Sequence, residues 1–353
     1  MGSADRWRVV DTGLRTPAQN AALDRALLEA READEIPSTL RFFRYTPAVL
    51  LGAMQDSDPL VDDEARRARG LSLDRRLTDG GTFLCDGSHL AWTIYLGKTD
   101  ARRGDGGRAV LKRLCHAGAT AVSALGVEAV YRARNEMAVE GRTLAQAGVL
   151  YSENALMFQA VLALDGDVAQ RASIMRLPWA AEKRAAILRE RYTTLREVLG
   201  RTADIHSLRH NLIEAYESEF GVEFKDADLT LSEHARYEIA DREHRAGTPQ
   251  GLMPDAGVRI ATAVQERTGV ALSACVVFDA ARVVRQVWFT GCALHPASAL
   301  ADLEAALRDL PVERVEARVR TFFSSRPVRC QGCVADDFSM VVKRAVDRPL
   351  LAR

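Results

Sequence analysis

The segment from Val127 to Asp165 constrains the fold more than any other part of the chain. It reads as short apolar runs, VEAVYRA, EMAV, TLAQAGVLY and ALMFQAVLALD, broken by turn residues at Glu140–Gly141 and Ser152–Asn154. A chain that doubles back over such short connections pairs its neighbouring strands antiparallel, because parallel pairing needs a long crossover. The segment is therefore expected to be a β-meander, and an all-helical bundle is excluded.

The flanking sequence adds helices and further strands. WRVVD (7–11) reads as a strand ending in a turn at Asp11–Gly13. Pro17 sits where a helix can start without losing a hydrogen bond, and apolar residues recur at helical spacing from Ala18 to about Glu32. LRFFRYT (40–46), AVLLGAM (48–54), LSLDRRL (71–77) and HLAWTIYL (89–96) read as strands. Helices are expected over 61–70, stopping at Gly70, and over about 107–125. From about 167 to 246 nearly everything reads as helix. GTPQGLMPDAGV (247–258) is rich in Gly and Pro. Three strand-like runs follow it, with a hairpin turn at Asp279–Arg282, and then helices at about 297–309 and 312–322.

A chain of 353 residues exceeds what one ordinary core supports. The expected division is a first domain at 1–248, a linker at 249–257 and a small α+β accessory domain at 258–345. Lys plus Arg and Asp plus Glu both number 48, a balance that argues against a nucleic-acid-coating protein. Aromatics at 6% leave little material for stacking bases. No stretch reaches the apolar length needed to cross a bilayer, and the N-terminus carries no apolar run of the secretory type. Six cysteines are too dilute for a disulfide scaffold. A soluble, cytoplasmic protein with reduced thiols is expected, with no nucleic-acid or membrane partner.

Two segments carry chemistry. DRRLTDGG (74–81) ends a strand with two arginines and a glycine turn, which can present guanidinium and backbone N–H groups to an anion or be a plain solvated turn. RARNEMAVEGRTLAQAG (132–148) places Asn135 and Glu136 near Gly141–Arg142, with small residues that admit a close ligand; alone, such a pattern is more often a plain hairpin.

In this order and separation, the two segments resemble the lipoate-protein ligases of the biotin/lipoate ligase superfamily. The resemblance begins at DTG…AQNAALDRALLEA and TLRFFRYTPAVLLGAMQD, and continues through RRLTDGGTFLCDGSHLAWTIYL, RNEMAVEGRTLAQAG and LMFQAVLALDGD. WFTGCALHPASALADLEAAL resembles the strand-glycine-helix passage of the family's accessory domain. It implies an α+β fold, a mixed and largely antiparallel sheet flanked by helices. It also implies activation of lipoate or another carboxylic acid with ATP and Mg²⁺, and transfer to a lysine of a lipoyl-carrier-type domain. Carried over residue by residue, it places substrate and nucleotide contacts at Arg75, Arg76, Thr78, Asp79, Gly80, Gly81, Asn135, Glu136, Gly141, Ala145, Ala147 and Gln159.

The reacting positions depart from the family pattern. Thr143 stands where the family has its lysine, Asp79 replaces the first of three glycines, Glu136 replaces an Asp, and Cys85 lies where many relatives have His. A hydroxyl cannot supply the lysine's charge. Three readings follow: a diverged acyl- or adenylate-handling enzyme acting on a carrier lysine or other amine, a non-catalytic carrier-binding scaffold, and a cysteine-dependent lipoyl or octanoyl transferase using Cys85. Sequence reasoning expects Thr143→Lys to raise lipoate adenylation. Cys330-Gln-Gly-Cys333 reads as a structural or incidental pair, as a redox pair or as half a metal site. No resident metal is expected, and His206 and His210, four apart on a helix, lack an HExxH pattern.

Overall fold

The computed structural model describes residues 5–52, 61–78, 83–85, 87–97, 107–132, 135–175, 177, 179–245, 259–267, 270–290, 292–296 and 298–347. The expected linker, together with Asp79, Gly80 and Gly81, lies outside the described residues.

The chain opens with β1 (Asp5–Arg15), α1 (Pro17–Glu32), β2 (Thr39–Tyr45), β3 (Ala48–Leu51), α2 (Asp63–Ala68), β4 (Ser72–Arg75), β5 (Phe83–Cys85) and β6 (His89–Gly97). After α3 (Gly107–Ser123) comes the meander β7 (Ala129–Arg132), β8 (Glu136–Val139), β9 (Arg142–Tyr151) and β10 (Ala155–Ala163). Then follow α4 (Val168–Ser173), α5 (Ala181–Arg189), α6 (Leu195–Leu199), α7 (Ile205–Phe220), β11 (Val222–Asp226) and α8 (Leu231–Arg245).

Among the described residues, the main sheet has eight strands in the order β11-β1-β2-β6-β10-β9-β8-β7. β1 runs parallel to β2 and β11, and the other pairings are antiparallel. The mixed, largely antiparallel sheet read from the sequence is what forms. β3, β4 and β5 make a separate three-stranded sheet.

Both faces of the main sheet are covered, and β6 shows how. Trp92, Ile94 and Leu96 point into the core shared with α3 and α7, while Tyr95 joins Leu27, Leu28 and Met157 on the α1 face. The period of two thus assigns alternate residues to two helical layers. α7 contributes Leu208, Leu212, Tyr216 and Phe220, one residue per turn, all buried. Tyr216 closes the contact by accepting a hydrogen bond from Trp92 Nε1 (2.8 Å) and donating to the Leu114 carbonyl (3.1 Å). α1 starts where expected, with Thr16 and Gln19 forming a reciprocal capping box before Pro17.

Two local expectations change. The turn foreseen at Asp11–Gly13 is a bulge: Gly13 takes φ +71, the register shifts between Asp11 and Leu14, and β1 continues. Within 167–246, where nearly everything reads as helix, β11 is a strand. Its apolar alternation, Val222 and Phe224, is too short to stand out between helices.

The C-terminal part contains β12 (Arg259–Arg267), β13 (Val270–Phe278), β14 (Val283–Thr290), β15 (Ala293–His295), α9 (Ser298–Leu307), β16 (Leu310–Pro311), α10 (Val312–Ser324), β17 (Arg329–Gln331) and α11 (Ala335–Asp347). β12, β13, β14 and β16 form one sheet, and β15 pairs with β17. Here too, alternate residues serve two cores. Ala274, Val276 and Phe278 pack with α9, α10 and α11, whereas Cys275, Val277 and Trp288 pack with Val49, Leu51, Ile174, Ile187 and Leu188 of the N-terminal part.

Candidate active site

β8 and β9 meet with Glu136 opposite Gln146 and Met137 opposite Ala145; the register then shifts so that Ala138 faces Thr143. Leu144 is the extra residue. Without that bulge, Thr143 and Gln146 would lie on opposite faces, since three residues separate them. With it, both side chains reach the buried carboxylate of Glu136.

That carboxylate is saturated. Oε2 accepts from Arg132 Nε (3.0 Å) and from the Thr143 hydroxyl (3.1 Å). Oε1 accepts from Gln146 Nε2 (3.2 Å) and pairs with Arg308 Nη1 at 2.5 Å. The Arg308 and Arg132 guanidiniums, together with these hydrogen bonds, outweigh the burial penalty and hold the Glu136 carboxyl down at about 2. Arg132 is equally committed, since it also donates to the Gly141 carbonyl (2.8 Å) and to Thr143 Oγ1 (2.5 Å). The Thr143 hydroxyl therefore both accepts and donates. Arg142 points away and pairs with Glu197 and Glu140.

Arg308 reaches the site from just beyond α9, and the contact between the two parts is built for it. The Glu140–Gly141 turn, with φ of +50 and +75, abuts the start of α9 so closely that a Cβ on Gly141 would lie 2.7 Å from that of Ser298. Buried Arg191 clasps buried Glu304 through Nε (2.8 Å) and Nη2 (3.2 Å). Burial raises the Glu304 carboxyl despite that partner.

Beside Thr143 opens a small cleft of about 70 Å³. Its walls include Phe83, Thr143, Leu144, Ala145, Gln146, Val161 and Tyr192, and its rim carries His89, Asp165, Asp167 and Arg171.

A second polar cluster lies on the α1 face of the same sheet. Asp24 is buried and pairs with Arg41 (2.7 Å), accepting in addition from Tyr95 (2.5 Å) and Gln159 Nε2 (2.7 Å). Burial nevertheless raises its carboxyl, outweighing Arg41 and the hydrogen bonds. Gln159 Oε1 accepts from Thr78 Oγ1 (3.3 Å), so Thr78 and Gln159 are brought together as a pair.

The other positions named from the sequence fall as follows. Ala145 borders the cleft, but its side chain and that of Ala147 join the α3-side core; Ala147 packs and does not line the cleft. Asn135 accepts from the Ala147 N–H (2.8 Å) and donates through its amide to the Ala147 carbonyl. Arg75 is half-buried with Nη1 3.5 Å from the Gly52 carbonyl. Arg76 is buried, stacked over Phe83 at 4.1 Å and donating to the Leu50 carbonyl (3.3 Å). Cys85 is fully buried in β5 opposite Ala48. His210 is exposed and pairs with Glu214.

Glu136 does not fit a magnesium-holding role: magnesium needs free oxygen ligands, and each Glu136 oxygen already has two partners. The Asn135 amide nitrogen donates to the Ala147 carbonyl. Sequence reasoning missed Arg132, Arg308, Arg191 and Glu304. A signal existed for Arg132, which faces Glu136 across the β7–β8 hairpin.

Residues 16–217 match the family model of the lipoyl protein ligase A/B catalytic domain. The chain belongs to that family. Among curated relatives, an octanoyltransferase LipM from Moorella thermoacetica is 28% identical over 261 residues, covering 66% of this chain and 93% of the relative. Octanoyltransferase LipM from Symbiobacterium thermophilum is 29% identical over 251 residues, covering 64% and 91%. Among solved structures, the bipartite lipoate protein ligase of Thermoplasma acidophilum, studied with its E2 lipoyl domain, aligns with a TM-score of 0.61 at 19% identity, covering 72% of this chain and 99% of that one. LipL1 of P. falciparum, in complex with lipoate, aligns with a TM-score of 0.53 at 12% identity over 95% of this chain and 98% of its own. These likenesses establish a shared lipoyl-ligase fold, and the last spans the C-terminal sheet as well. No helix among the described residues is long and apolar enough to cross a membrane.

Proposed function

We propose that this chain transfers a medium-chain acyl group, already activated as a thioester, to the lysine amine of a lipoyl-carrier-type domain without adenylating a free acid. One observation carries the proposal: the Thr143 hydroxyl is locked between Arg132 and Glu136, and both guanidiniums facing it are spent on Glu136. Adenylation brings a carboxylate and a phosphate together, which calls for uncommitted cations, and this strand offers none. A thioester donor is neutral and avoids that demand. The naming of relatives as octanoyltransferases supports the same direction.

The cleft beside Thr143 takes the acyl chain along Phe83, Leu144 and Val161. The carrier amine attacks the thioester carbonyl, the C–N bond forms, the C–S bond breaks, and the departing thiolate takes up the proton that the amine loses. His89, which lines the cleft, carries an imidazole that can relay that proton. We place the step on direct aminolysis and not on Cys85, whose thiol is buried among Phe43, Tyr45, Leu50 and Val161. A second reading, a carrier-binding protein without chemistry, draws on the same locked threonine.

The test is intact-mass analysis of a lipoyl domain after incubation with the protein and an octanoyl thioester. Acylated domain supports transfer, and His89→Ala is then expected to slow it by roughly 10²–10⁴-fold. Domain that binds but stays unmodified establishes the scaffold reading instead.

A further inference from the structure

We propose that Cys330 and Cys333 are a reversible dithiol–disulfide pair that exchanges with small-molecule disulfides, with Cys292 as a third thiol beside the turn that carries them. The backbone assembles this trio from two places. β15 pairs with β17 so that Leu294 faces Cys330 and Ala293 faces Gln331. Cys292, immediately before β15, therefore lies beside the turn that follows β17. Gly332, at φ +82, folds the chain back. The Cys330 and Cys333 sulfurs stand 2.8 Å apart.

Exposure separates these thiols from the rest. Cys292 and Cys330 are half-exposed and Cys333 is just buried, whereas Cys85, Cys115 and Cys275 are fully buried. A reagent in solution reaches Cys330 or Cys292 first and finds Cys333 behind it. Among the described residues no group of three side chains has the arrangement of metal ligands, and the close approach of the two sulfurs favours a disulfide.

The exchange balances in two steps. The Cys330 thiolate attacks one sulfur of the incoming disulfide; a mixed disulfide forms and the first small thiol leaves with a proton. Cys333, deprotonated in turn, attacks the Cys330 sulfur; the Cys330–Cys333 bond forms and the second small thiol leaves. Two cysteine thiols lose two electrons, and one external disulfide becomes two thiols. Burial, more than mutual crowding, pushes the Cys330 thiol up to about 12 and those of Cys292 and Cys333 up to about 11. The thiolate fraction is thus small at neutral pH, and exchange accelerates steeply with alkali.

The experiment exposes the reduced full-length chain to oxidised glutathione at pH 7, 8 and 9, alkylates the remaining thiols and maps them by peptide mass spectrometry. A Cys330–Cys333 link is expected, forming roughly tenfold faster per pH unit. Cys333→Ser should trap glutathione on Cys330, and Cys292→Ser should still form the link; circular dichroism melts check that both variants fold. The proposal is overturned if Cys330 and Cys333 of the unmodified chain remain alkylatable at pH 9, or if stoichiometric zinc shields them. Neither readout uses acyl transfer, so it stands or falls apart from the proposed function.

Discussion

At the residue scale, the site turns on Thr143. Sequence reasoning treats it as a missing cation, so Thr143→Lys looks like a restoration. The structure reverses that expectation. Arg132 and Arg308 already crowd Glu136, and a third cation in the same buried space finds no free acceptor. Thr143→Lys is expected to cost about 2–4 kcal/mol of stability and to yield no adenylation. A denaturant titration reads the first and pyrophosphate release the second; unchanged stability with new adenylation would contradict the reading. Glu136 supplies a pH signature. Its carboxyl falls from an ordinary 4.5 to about 2 on folding, so it contributes on the order of 3 kcal/mol that is fully present above pH 4.5. That contribution drains away as the pH drops from 4.5 towards 2. Melting curves of the native chain and Glu136→Gln should converge over that window, and parallel curves would remove Glu136 as their cause. The Arg132–Glu136 pair was legible, since the two residues face each other across a hairpin. Arg308 was not, because only the fold brings it to Glu136.

At the element scale, the β8–β9 hairpin and α9 share one contact that the sequence half discloses. The Glu140–Gly141 turn was readable from its residues, and so were the four strands of the meander. The bulge at Leu144 was not, although it decides which face Thr143 takes. Bulges leave no mark in residue type when every residue nearby is compatible with a strand. Gly141 is the position where hairpin and helix test each other. Gly141→Ala meets both a positive φ and the Ser298 Cβ, so a loss of roughly 1–3 kcal/mol is expected in a denaturant midpoint. A loss of a few tenths would mean that α9 yields freely and does not fix the site. The edge strand β11 went unread because its apolar period, Val222 and Phe224, is only two residues long and lies between helices.

At the scale of the whole molecule, the C-terminal sheet completes the N-terminal part. Cys275, Val277 and Trp288 share a core with Val49, Leu51 and Leu188, and Arg308 and Glu304 supply partners to buried charges across the same boundary. Calorimetry of the full chain should show one transition, and a chain ending at Arg245 should expose that core and aggregate. A soluble truncated chain melting like the parent would show the two parts to be independent. The family pattern was legible across residues 16–217, because apolar order survives the replacement of site residues. What could not be read was how buried charges pair across distant segments, and the proposed function turns on that. Acid-dependent pyrophosphate release from ATP and Mg²⁺, measured with lipoate and octanoate beside a parallel octanoyl-thioester assay on a lipoyl domain, addresses this directly. The account predicts acylated domain from the thioester and no pyrophosphate above background from either free acid; robust acid-dependent release would contradict it.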